Sequence, residues 1–154
     1  MNYLKTTRAA AMAAVAFGTM LLAACGGGGS QPCNTVVDGT GAPSIVFTSV
    51  PTLGSSDLLH GQVTHVASSG YSVVVFIKVN GGWWVKPYDD APLTTISCDG
   101  SWSTDIVTGG EDQNATQINA YLVPANFPPP LLGGEAAIPT SMSAYPSATV
   151  TRTN

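Results

Sequence analysis

A chain of 154 residues makes one domain of ordinary size plus whatever its termini carry, which excludes a long multidomain enzyme. Only 9% of the residues are charged, where a soluble cytoplasmic domain devotes roughly a quarter to charge, so the surface must be built from Ser, Thr, Asn and Gly, as is commoner outside the cytoplasm. The net charge is −4, and beyond residue 24 three basic side chains face nine acidic ones, so binding to nucleic acid, which rewards basic surface, is not expected.

Lys5 and Arg8 precede a charge-free run over 9–24. This pattern matches the basic and apolar regions of a secretory signal peptide. The run is short for a spanning helix, which needs about 20 apolar residues. It ends in Leu22-Ala23-Ala24-Cys25, which resembles the lipobox of bacterial lipoproteins. The resemblance implies cleavage before Cys25, a diacylglyceryl group on its sulfur and N-acylation of the new terminus, so that membrane lipid is a partner. The alternative is an ordinary signal peptide cut after Ala24, with Cys25 left as a free thiol. Two or three acyl chains anchor a protein because each buried methylene contributes about 0.8 kcal/mol. Gly26 stands where, by the family's rule, an Asp would favour the inner membrane, so the expected address is the cell envelope, at the outer membrane where the cell has one. Residues 26–32 read as a Gly-rich tether. No Lys, Ser or Thr follows the glycines at phosphate-loop spacing. The expected organisation is a signal peptide over 1–24, lipidated Cys and tether over 25–43, and a folded domain over 44–154.

From residue 44 onward, short runs rich in Val, Ile, Thr and aromatics alternate with Gly, Pro, Asn and Asp, as in all-β domains. Strands are expected at 44–50 and 58–66. A turn at Ser68-Ser69-Gly70 leads into 71–79, whose continuously apolar centre, Val73 to Ile77, marks a strand covered on both faces. Asn80-Gly81-Gly82 signals a tight turn into 83–86. Runs at 93–97 and 101–107 flank Asp99-Gly100 and read as a hairpin with a three-residue loop, Gly100 left-handed, and Ile96, Trp102 and Ile106 on one face. A strand at 117–123 places Ile118, Ala120 and Leu122 on one face and Asn119, Tyr121 and Val123 on the other, stopped by Pro124. A long irregular connection follows, then a last strand at 147–152. Seven or eight strands in this span fit a two-sheet sandwich of immunoglobulin-like or fibronectin type III-like kind, without the Cys, Trp, Cys spacing of an antibody domain.

Setting Cys25 aside leaves Cys33 and Cys98, an even pair in an oxidising compartment. A disulfide between them would tie the start of the domain to a mid-domain turn. The alternative is two buried thiols too far apart to bond. A structural zinc site lacks ligands nearby, and no metal or cofactor is expected.

The segment 61–125, with Gly82-Trp83-Trp84, Lys86-Pro87-Tyr88, Asp99-Gly100-Ser101-Trp102-Ser103 and Tyr121-Leu122-Val123-Pro124, resembles β-sandwich segments of bacterial secreted and surface proteins that accompany polysaccharide-active enzymes. The resemblance implies an accessory or binding module without catalysis. Side-chain chemistry agrees. No Gly-x-Ser-x-Gly elbow is present, and His60 and His65, five apart, point to opposite faces of a strand. The acid pairs Asp89-Asp90 and Glu111-Asp112 fall in loops and read as solvated. Trp83, Trp84 and Tyr88 are the ligand-binding candidates. Neighbouring strand residues face opposite ways, so one Trp can plug the core while the other offers a flat ring to a sugar beside Lys86 and Asp89 or Asp90. Alternatively both rings cover the sandwich edge and bind nothing. The expected function is a lipid-anchored, non-enzymatic binding module with polysaccharide as ligand. The alternative is an assembly component that recognises another envelope protein through its sheet edges or loops.

Overall fold

The computed structural model describes residues 33–153. The segment 1–24 expected to be a signal peptide, the expected lipidation site Cys25 and the glycines at 26–29 lie outside the described residues. Strands form where the β-branched and aromatic runs lie. They are β1 (Ser44–Ser49), β2 (Leu59–Thr64), β3 (Tyr71–Val79), β4 (Gly82–Lys86), β5 (Leu93–Thr94), β6 (Ser101–Thr104), β7 (Gln117–Pro124), β8 (Gly133–Glu135) and β9 (Ser147–Thr151).

The strands pair antiparallel into two sheets. One has the order β1-β2-β6; the other runs β8-β4-β3-β7-β9, with β5 also on β3. Three strands facing β4-β3-β7-β9 is the order of a fibronectin type III-like sandwich, and the all-β two-sheet fold is as expected. The β3–β4 hairpin is closed by Asn80 and Gly81, both at positive φ (51° and 86°), as a two-residue turn between right-twisted strands requires.

Alternation along β3 and β7 builds two cores. Val73, Val75, Ile77 and Val79 join Ile118, Ala120 and Leu122 between the sheets, against Ile45, Leu59, Val63 and Trp102. Val74, Phe76, Tyr121 and Val123 point the other way and pack with Trp83, Val85, Leu132 and Met142. The cover on that outer face is the long connection after Pro124, which contributes Phe127, Ile138 and Tyr145 as well. Val73 to Ile77 is therefore apolar without interruption because both faces of β3 are dry. Trp102 fits between the sheets because its cross-strand partner is Gly61. A Cβ there would lie 2.2 Å from Trp102 Cζ2.

Three local expectations need correction. The runs at 93–97 and 101–107 do not form a hairpin ladder. The three-residue loop exists, with Gly100 at φ 83° and Ser97 N–H donating to Ser101 O (2.8 Å). Beyond it the arms part: Val73 pairs with Thr94, and Gly61 with Trp102, in different sheets. Each arm gains more by extending an existing sheet than by forming an isolated two-stranded ribbon, and Ile96, Trp102 and Ile106 still reach one core. The segment 33–43 is also more than tether. Cys33 is disulfide-bonded to Cys98, Val36 bridges to Ala67, and Val37 exchanges backbone hydrogen bonds with Val66 and His65. The third correction is the short strand β8, which the Gly133-Gly134 sequence had concealed in the connection.

Candidate functional site

The sheets differ in width, and this creates the site. No residue of β4 enters the core between the sheets, so β4 and β8 form an overhang. At about 4.8 Å per strand it is roughly 10 Å wide. Trp84 pairs with Ile77 and Lys86 with Val75, so both side chains stand on the face that the narrow sheet would have to cover. The loop 108–112 comes up beside them in its place.

That loop is fixed by a buried charge pair. Lys86 Nζ donates to Asp112 Oδ2 and to Thr108 Oγ1 (2.9 Å), with the two charged side chains only 8% and 10% exposed. Asp112 Oδ2 also accepts from the backbone N–H groups of Thr108 and Gly109, each at 3.0 Å. The turn Asp112–Asn114 is held from behind by Arg152. Its Nε donates to Ala115 O (2.7 Å) and its Nη2 to Gln113 O (3.2 Å), while Nη1 reaches Pro51 O and Thr52 O at 3.3 Å. Removal from water pushes the Arg152 pKa below its ordinary value.

Trp84 remains 41% exposed, Tyr88 52% and Leu131 59%, three of the large apolar side chains that meet solvent. Trp84 is uncovered because its neighbours on β8 are Gly133, its cross-strand partner, and Gly134, where a Cβ would lie 3.2 Å from Trp84 Cζ2. The indole thus lies on bare backbone. It stands between two clefts. The first, about 410 Å³, is lined by Trp84, Lys86, Asn80, Thr108, Glu111 and Asp112 among others. The second, about 280 Å³, lies towards Tyr88, Asp89 and Leu131 and shares Trp84, Lys86 and Thr108 with the first. Glu111 is oriented by Asn80 Nδ2, which donates to its Oε2 at 2.7 Å.

The structure separates the sequence candidates. Trp84 and Tyr88 share one cleft, with Asp89 beside them and Asp90 exposed next in the chain. Trp83 does not belong with them: it is 7% exposed in the outer core, with Lys78 Nζ 5.6 Å from its ring centroid. A ring so covered offers no face to a ligand. Asp112 departs from its reading as a solvated acid, since it is buried and paired; Glu111 alone of that pair is exposed. The lysine that pairs with Asp112 lies 26 residues away in sequence, and only the short stretch Thr108-Gly109-Gly110 before the acids hinted at a loop that folds back. The histidines stay apart. His60 is exposed on β2, beside a small recess lined by Ser97, Ser101 and Ser103, while His65 lies past the strand end at φ 61° with Nδ1 3.3 Å from Gly39 O. Among the described residues no three His, Cys, Asp or Glu side chains converge as metal ligands.

No family model matches this chain, and no curated protein matches it.

Proposed function

We propose that the protein is a non-catalytic binding module held in the cell envelope by a lipidated Cys25, and that the Trp84–Tyr88 surface takes polysaccharide. The observation that supports this most is the half-exposed Trp84 ring standing between two clefts, with Tyr88 in one and the polar groups of Asn80, Glu111 and Thr108 around the other. Aromatic planes stack on the apolar faces of sugar rings, and carboxylates, amides and hydroxyls take up their hydroxyl groups. The lipobox at Leu22 to Cys25 and the low charge content support an exported, anchored protein.

The test is affinity electrophoresis of the wild-type chain and Trp84→Ala across a panel of polysaccharides. Retardation by at least one polymer, lost in Trp84→Ala while the circular dichroism and melting temperature stay close to wild type, is the expected result. Absence of retardation by every polymer, together with an envelope protein that co-purifies and cross-links through this face, would instead favour the assembly reading. Mass spectrometry of the protein from its native host tests the anchor: the expected species begins at Cys25 and carries acyl groups.

A further inference from the structure

The charge of the two clefts narrows what they can hold. Among the described residues there are three cations, and each is already committed. Lys86 is buried against Asp112, Arg152 donates to four backbone carbonyls, and Lys78 is half-buried over the Trp83 ring. The acids are placed oppositely: Asp89 borders one cleft and Glu111 the other, both exposed, with Asp90 exposed beside Asp89. A chain bearing carboxylate or sulfate groups would meet these acids with no free cation to compensate. Hydroxyl groups would find acceptors and an aromatic plane.

The position of Trp84 adds a second restriction. The ring borders both clefts, which share Lys86 and Thr108 as well. A sugar stacked there has room to continue on either side.

Resting on the binding reading above, we infer that the ligand is an uncharged glycan, gripped along an internal stretch of its chain and not by its end. Asp89 and Glu111 act as the groups that reject anionic polymers.

The experiment uses the full chain and any neutral polysaccharide that retards it, compared with a carboxymethylated form of the same polymer and with oligosaccharides of increasing length cut from it. The expected result is binding to the carboxymethylated form about tenfold weaker at roughly 0.1 M salt, because several like-charge pairs within a Debye length act together. That difference should shrink in about 1 M salt and in the double variant Asp89→Asn with Glu111→Gln. Affinity should also climb with oligosaccharide length beyond the monosaccharide. Equal or tighter binding of the carboxymethylated polymer, or affinity already complete with a single sugar, overturns this inference while leaving Trp84 as a binding residue. Retention that survives Trp84→Ala, or no retention by any polymer, overturns the underlying binding reading and this inference with it.

Discussion

Replacing Asp112 by Asn tests the physical basis of the cleft wall. Asn keeps the size of the side chain and an acceptor for the Thr108 and Gly109 N–H groups, but leaves the Lys86 ammonium buried without its counter-charge. At hydrogen-bond contact, about 3 Å, and an effective dielectric of about 20, the lost attraction is about 5.5 kcal/mol. Side chains that keep a tenth of their surface in water recover part of that by hydration, so the expected loss is about 3 kcal/mol, the lower end of the range for breaking a buried pair. In urea, with a slope of about 1.5–2 kcal/mol/M, the unfolding midpoint should fall by about 1.5–2 M. The double variant Lys86→Met with Asp112→Asn removes the orphaned charge and should recover at least about 1 kcal/mol relative to Asp112→Asn alone. A single variant within about 0.5 kcal/mol of wild type, or a double variant whose loss is the sum of the two singles, would refute the claim that this pair is a desolvated, coupled unit. Binding gives a second readout: freeing the loop 108–112 should weaken ligand retention at temperatures where Asp112→Asn is still folded.

Gly61→Ala should destabilise by about 1–3 kcal/mol in denaturant unfolding, because the new methyl must displace the Trp102 indole or bend β2; a neutral effect would mean that the ring does not lie on the Gly61 backbone. Trp83→Ala should cost about 3–5 kcal/mol by the same measurement, since its ring is enclosed in the outer core. Trp84→Ala, at a half-exposed ring, should cost far less, and equal losses would contradict the in-and-out alternation. Opening the disulfide with Cys98→Ser should lower stability by about 4 kcal/mol on the chain-entropy view of a loop of this length. Hydrogen exchange should then show residues 33–39 losing protection first. Asp99 accepts from both the hydroxyl and the backbone N–H of Ser101, and these bonds hold its pKa below the usual 3.8. Its contribution to stability is complete above the unfolded value and is lost as the pH falls through the lower folded one, so the gap between wild type and Asp99→Asn should be present at about pH 6 and narrow below about pH 4.

Much of the architecture could be read locally. A β-strand alternates its side chains, so Ile118-Asn119-Ala120-Tyr121-Leu122-Val123 announced its two faces, and five apolar residues in succession at Val73 to Ile77 announced a strand with both faces buried. The turn at Asn80-Gly81 and the left-handed Gly100 followed from backbone sterics that any short stretch of chain obeys. Pairing between distant segments did not follow. The turn at 98–100 looked like the tip of a hairpin, yet its two arms extend different sheets, and which one each extends depends on edges offered by β2 and β3.

The candidate site divides along the same line. Period-two alternation required that Trp83 and Trp84 face opposite ways, but the identity of the exposed ring depended on the register of β4 against β3 and on which face the narrow sheet covers. Likewise Glu111-Asp112 carried no mark of which acid would be buried, because the lysine that settles the matter arrives from another strand. Strand position, side-chain alternation and turn are decided by neighbours one to four residues away, so the sequence by itself determined them. The overhang, the Lys86–Asp112 pair and the open face of Trp84 arise from a three-stranded sheet lying against a wider one, a mismatch of widths that exists only after both sheets have assembled.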